Sequence, residues 1–361
     1  MRVLLFGTYD AKAHPRIAIL ADGLRSHGFE VTECNAPLGL DTAARVRMLA
    51  RPWLAGALLG RLLSRWFTLA LTARRNGRPD VVLVGYLGHF DVLLARLLFP
   101  RVPIVLDHLI GAADTARDRR LSGGARASVL QLIDAAALRA ADIVVVDTDE
   151  HRARLAERAR TRSVVVPVGA PDAWFGTPDP SEDGPLRVVF FGLYTPLQGT
   201  PVIGAALRLL ADEPIDVTMI GTGQDVAETK AAAERNTRVR WLDWVSSTEL
   251  PTVVGAADVC LGIFGTSGKA QRVVPNKVYQ GAAAGCAIVT ADTEPQRRVL
   301  RDAAILVPPG DPEALAAALR ELAADRTELA RLRHAASELA RAEFTAPEIV
   351  VPLVSRLESH R

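Results

Sequence analysis

Two of the four lysines in this 361-residue chain, Lys269 and Lys277, fall in one short stretch, Phe264 to Gly285, with Arg272 between them. Pro275 suits the first turn of a helix and not its interior, so the spacing predicts a helix from about Pro275 and Asn276 through Tyr279 to Ala284. Three cations are thereby brought to a helix N-terminus, where free N–H groups and the helix dipole favour an anion. The chemistry this pattern offers is diphosphate binding. A solvated basic loop fits the same residues, although such a loop does not need Gly265 and Gly268.

A second group of candidates follows apolar runs. Asp107 and His108 come directly after Ile104 to Leu106, where an imidazole can hydrogen-bond or shuttle a proton, and a purely structural histidine fits equally well. His14 precedes the first helix with Arg16 nearby as an anion contact, and His89 follows the run Val81 to Val84. His27, His151, His334 and His360 sit in helical or terminal polar contexts and show no partners in the sequence. Gly7-Thr8-Tyr9, Gly192-Leu193-Tyr194 and Gly221-Thr222-Gly223 end further runs. Glycine there lets a phosphate approach the backbone, but a tight turn requires it too. Neither a GxGxxG fingerprint nor a GxxxxGK[ST] loop is present. Asp147-Thr148-Asp149 has the spacing of a metal-binding acidic pair, and its place before a helical pattern reads better as a cap, so no metal or cofactor is expected.

The elements that must hold these residues show an internal repeat. R-V-L-L-F-G-T-Y at Arg2 to Tyr9 recurs as R-V-V-F-F-G-L-Y at Arg187 to Tyr194, each followed by apolar residues at helical spacing. The apolar runs Val81 to Val84, Ile104 to Leu106, Ile143 to Val146, Val164 to Val166, Val217 to Ile220, Val259 to Ile263 and Ala287 to Thr290 alternate with helical segments. That alternation predicts α/β domains with doubly wound parallel sheets. Prolines 171, 178, 180 and 185 mark a linker. The expectation is twin Rossmann-like domains facing across a cleft, 1–175 and 186–344. Amphipathic helices are expected over Pro312 to Glu343 and Pro347 to Ser359, with 345–361 packing back on the first domain.

Composition narrows the class. With 49% hydrophobic residues and a net charge of +2, neither disorder nor a nucleic-acid partner is expected. Three scattered cysteines make neither a disulfide framework nor a metal pair, and the short apolar run at the start is no signal peptide, so the expected location is the cytoplasm. Charge is uneven: between Thr42 and Pro79 there are eight arginines and no Asp or Glu. A basic amphipathic helix with tryptophans there suggests attachment to the inner, anionic face of a membrane, without spanning it. A core helix with a solvated arginine side fits as well.

With these residues in view, the chain resembles the retaining GT-B glycosyltransferases of family 4 over nearly its whole length. The segments that carry the resemblance include A-A-D-I-V-V-V-D-T, V-V-V-P-V-G, V-V-F-F-G-L-Y-T-P-L-Q-G, V-R-W-L-D-W-V and G-A-A-A-G-C-A-I-V-T-A-D-T. The resemblance implies an N-terminal acceptor domain, with Gly7, Thr8, His14, Arg16 and His89 facing a sugar, lipid-linked or small-molecule acceptor. It implies a C-terminal domain that binds a nucleoside diphosphate sugar through Gly192, Gln198, Gly199, Gly221 and Gly223. In that domain Trp244 and Val245 would flank the base, and Gln280 would meet the ribose. The departures are specific: Leu193 and Gln198 stand where the family has Arg and Lys, and Arg272 and Gln280 stand where it has paired glutamates. Lys269, Arg272 and Lys277 are expected to compensate, with His108 and Asp107 as catalytic candidates. A nucleotide-sugar epimerase or hydrolase, or a non-catalytic nucleotide-sugar-binding scaffold, are the alternatives.

Overall fold

The computed structural model describes residues 1–10, 15–39, 52–75, 77–85, 88–109, 124–176 and 184–360, with backbone alone for 52–55, 57, 58 and 124–127. Contacts divide the chain into two units, Met1–Pro167 with Ile349–Arg361, and Val168–Glu348.

In the first unit, strands β1 (Arg2–Gly7), β2 (Glu30–Asn35), β3 (Val81–Val84), β4 (Ile104–Asp107), β5 (Ile143–Val146) and β6 (Ser163–Val165) form one parallel sheet in the order β2-β1-β3-β4-β5-β6. β3, β4 and β5 are buried at every position, as expected for strands covered on both faces. Its helices include α1 (Arg16–Ser26), α2 (Pro52–Arg75), α3 (Asp91–Leu98), α4 (Gly124–Ala140) and α5 (Asp149–Arg154).

The second unit repeats the plan. β7 (Leu186–Phe191), β8 (Ile215–Ile220), β9 (Val239–Leu242), β10 (Val259–Leu261), β11 (Ala287–Ala291) and β12 (Ala304–Val307) are ordered β12-β11-β10-β7-β8-β9. Its helices include α6 (Thr200–Leu209), α7 (Asn276–Ala283) and α8 (Arg326–Glu343). The repeated sequence motif is the first strand of each sheet, and each first strand lies inside its sheet, where the strand order reverses. Ligands of doubly wound sheets bind at the carboxyl ends of strands at that reversal.

Several elements differ from the sequence expectation. β2, β9 and β12 were not anticipated; β2 and β9 are half-exposed edge strands whose polar residues break the apolar pattern. The helix expected over Pro312 to Glu343 is two helices, because Asp325 ends the first and its carboxylate accepts the Glu328 N–H at 2.9 Å to start α8. Pro171 to Gly176, read as linker, belong to the second unit, where Trp174 stacks on Phe191 at 5.4 Å. The last helix, α9 (Val351–Glu358), packs against β6 with Leu353 and Leu357 buried.

The second unit is tied together by a single carboxylate. Asp258, 1% exposed, accepts the Arg187 backbone N–H and Nη2 at 2.9 Å each and Arg333 Nη1 at 3.1 Å. Removing the carboxylate leaves the largely buried Arg333 guanidinium without its counter-charge and the Arg187 N–H without its acceptor. Asp258→Ala is therefore expected to lower the stability of this unit by about 3 to 5 kcal/mol, read by denaturant unfolding.

Candidate functional site

The second unit's candidate site is built by backbone proximity. After β7 the chain turns through Gly192, and a Cβ there would lie 3.1 Å from Lys277 Nζ. The loop continues to Gly199, which has φ +64°, caps α6, and leaves no room for a side chain: a Cβ would lie 2.4 Å from Gly265 N. Phe264 N donates to Gln198 O at 3.0 Å. The loop after β7 is thus seated on the loop after β10.

That seating brings Gln198 to α7. Lys277 is 4% exposed, and its ammonium donates to Gln198 Oε1 at 2.5 Å while lying 3.6 Å from the centre of the Phe190 ring. Burial holds its pKa well below the ordinary lysine value. An ammonium has three donors. Among the described residues Gln198 is its hydrogen-bond acceptor, so donors remain for a ligand at Gly192. The helix itself starts as expected, with Pro275 in extended conformation before Asn276.

The other expected donor contacts fall into two groups. Gly221 and Gly223 are required by packing: a Cβ on Gly221 would lie 1.9 Å from Gly192 O, and one on Gly223 2.3 Å from Tyr194 O. Backbone packing by itself requires glycine at both positions. Trp244, following the edge strand β9, is 79% exposed, and Val245 is half-buried. Lys269 precedes and Arg272 ends a short 3-10 turn, both half-buried, with Arg272 Nη1 turned back to within 3.2 Å of a Gly268 Cβ position. Gln280 is 8% exposed on α7.

The first unit treats its polar residues differently. Arg16 donates to Asp107 at 3.0 and 3.1 Å, to Val166 O at 2.9 Å and to Pro167 O at 2.7 Å, and is 3% exposed. Arg16 is thus a tie between α1, β4 and the end of β6. Asp107 is held by that pair. Burial raises its pKa and Arg16 pulls it back.

His108 is 8% exposed, with its ring 5.3 Å from that of His89 in edge-to-face contact. His89 Nε2 is 3.2 Å from Asp134 Oδ1. His151, read as lacking a partner, lies 2.5 Å from Asp147, and Thr148 caps α5 by accepting the His151 N–H. Asp147-Thr148-Asp149 is therefore a helix start, and among the described residues no group of three His, Cys, Asp or Glu could hold a metal ion.

Asp91 carries a role that sequence reasoning missed. It accepts Thr8 N and Oγ1 at 2.7 and 2.8 Å and Trp66 Nε1 at 2.9 Å, joining β1, α2 and α3. A Cβ on Gly7 would lie 3.1 Å from the same carboxylate. An acid in the first turn after a strand end was the available signal. His14 lies outside the described residues, as do Arg45, Arg47 and Arg51.

Residues 185–325 match the model of the family described as Glycosyl transferases group 1. Among solved structures, sucrose-phosphate synthase from Thermosynechococcus elongatus has a TM-score of 0.73 at 14% identity, covering 100% of this chain and 99% of the other. HepE from Anabaena in complex with UDP-glucose gives 0.72 at 15%, covering 99% and 100%. A glycosyltransferase from Rickettsia africae gives 0.65 at 11%, covering 99% and 98%. No curated protein matches. The likeness places both units in an α/β fold of the GT-B type.

The buried ammonium has a consequence for stability. A lysine whose pKa falls on folding binds fewer protons in the folded state, so between the two values stability rises with pH. Lys277→Met removes that dependence. The ligand-free parent is expected to gain on the variant as pH goes from about 7 to about 10, measured by denaturant unfolding at both ends.

Proposed function

We infer that this chain, a glycosyltransferase by the family of residues 185–325, moves a sugar from a nucleoside diphosphate donor to an acceptor hydroxyl, with retention and without a bound metal. The observation that carries the donor reading is the buried Lys277 ammonium at Gly192, with donors left for an anion at the reversal of strand order. It supplies, from α7, a cation beside Gln198, the residue that stands where the family has a lysine.

As the sugar leaves, negative charge develops on the diphosphate. Lys277, Lys269, Arg272 and the N–H groups at the start of α7 would meet that charge in place, which stabilises the transition state without reorganisation. Gly192 and Gly199 allow the backbone to approach the phosphates. Trp244, exposed after β9, offers a stacking face for the base about 10 Å across the strand ends from β7, with Val245 beside it. Gln280 hydrogen-bonds a ribose hydroxyl without charge. HepE, a protein of the same fold, is in complex with UDP-glucose, which makes UDP-sugars the first donors to try.

The first unit is assigned the acceptor: a sugar, lipid-linked or small-molecule alcohol at Gly7, Thr8, His14 and His89. His108 contacts donor sugar or acceptor. The work of such an enzyme is done in the cytoplasm, with peripheral attachment to an anionic membrane face through 42–79.

A panel of UDP-, GDP- and dTDP-sugars tests the reading. Transfer or slow donor hydrolysis supports it, interconversion of sugars indicates an epimerase, and binding without turnover indicates a scaffold. Lys277→Ala is expected to weaken UDP binding by about 1.5 to 3 kcal/mol, roughly 10- to 150-fold in Kd, by calorimetry. His108→Ala is expected to lower turnover at least about tenfold while leaving the Kd for UDP nearly unchanged.

A further inference from the structure

The amino ends of the first unit's strands enclose a pocket. β1, β3 and β4 are neighbours in the parallel sheet, so the residues that enter them lie side by side. Asp80 N donates to Arg2 O at 2.9 Å and Val82 N to Pro103 O at 3.0 Å, which fixes the three entries against one another. The end of the chain completes the wall. Leu357 of α9 and His360 beyond it line, with those entries, a pocket of about 720 Å³, within the size range of small-molecule sites.

This pocket lies at the opposite end of the sheet from the candidate acceptor residues. Gly7 and Thr8 follow β1, as His108 follows β4, and the six residues of β1, at about 3.3 Å each, put Arg2 roughly 17 Å from Gly7.

Its lining is of two kinds. Val81, Val102 and Leu357 are buried and make an apolar floor. Arg2, Arg78 and Arg101 are exposed around it. Arg2 is held in place, since its Nη2 donates to Arg78 O at 2.6 Å. The acid of the lining is Asp80, whose Oδ2 accepts the Arg2 backbone N–H at 2.7 Å. Among the described residues none of the three guanidiniums is in an ion pair. Three positive charges thus face one concavity against a single carboxylate. A concave, partly apolar wall focuses such a field and raises the local concentration of anions.

The same groups select the anion. Pro79 and Pro103 have no N–H to offer, so recognition falls to the guanidiniums, whose paired N–H groups match the oxygens of a carboxylate or a phosphate. A phosphate monoester brings three terminal oxygens and a charge of about −1.5 to −2. That suits three arginines better than a carboxylate with two oxygens and one charge. The apolar floor suits an organic body attached to the phosphate.

We propose that this pocket binds a small organic phosphate monoester, with the phosphate on Arg2, Arg78 and Arg101 and the organic body over Val81, Val102 and Leu357. Because the end of the chain forms one side of the pocket, a bound ligand ties α9 to the strand entries and stabilises the folded first unit. None of these residues belongs to the donor or acceptor assignments, so binding is measured without any sugar donor.

The test is calorimetric titration with phenyl phosphate of the full-length parent and of Lys277→Ala, in which the candidate donor site is weakened. Both are expected to bind the probe, and the probe is expected to raise their melting temperatures. Adding Arg78→Ala and Arg101→Ala to Lys277→Ala is expected to weaken binding at least about tenfold. Both arginine side chains are exposed, and the carbonyl of residue 78 remains as the acceptor of Arg2. Should the melting curve nevertheless show misfolding, Arg101→Ala with Lys277→Ala decides, with weaker binding expected. The proposal is overturned if the parent binds no phenyl phosphate at millimolar concentrations, or if the folded arginine variants bind as Lys277→Ala does. It is also overturned if Lys277→Ala alone abolishes binding, because the phosphate then sits at the donor site.

Discussion

Everything at the second unit's strand ends depends on how closely two loops approach. Gly199 and Gly265 leave less than a side chain between them, and Gly221 lies against Gly192 O. Once the loop after β7 is pressed onto the loop after β10, Gln198 has one place to be, and it meets Lys277 there at 2.5 Å. The ammonium is then held by one amide oxygen and one ring face, which compensate only part of its lost hydration. A charge kept in this state is poised to gain from an anion. Moving it to solvent would relieve the strain of burial and remove that gain.

The two units solve the problem of buried charge in opposite ways. Arg16 is met by a carboxylate and two backbone oxygens, so it is complete and fixes three elements of the first unit. Lys277 is met by a neutral amide. The first arrangement builds a scaffold, and the second leaves binding capacity. The distinction rests on what each cation touches, which residue type alone does not state.

That contrast also marks what the sequence could reveal. The repeat of R-V-L-L-F-G and R-V-V-F-F-G, the buried strands β3 to β5 and the helix at Pro275 were legible because their signals are local: apolar runs, glycine stops and the fixed backbone angle of proline. β2 and β9 were not, since edge strands keep polar residues on their open side. Lys277 was legible as part of a basic cluster, but its pairing with Gln198 spans 79 residues and follows from the loop packing. The partners of Arg16 were hidden for the same reason: those at 107, 166 and 167 are brought to it by the sheet. Asp91 was overlooked because a helix-start acid has a local role that hides its distant one.

The placement of α9 sets the order in which the protein can be completed. The first unit needs residues 349–361, yet the second unit, about 180 residues of chain, is made between its two parts. At roughly 5 to 20 residues per second, ten to forty seconds pass before α9 can cover β6. During that interval β6 lacks α9, and the second unit, continuous in sequence, has all its residues before α9 is made. The ribosome therefore delivers the residues of the insertion before those that complete its host.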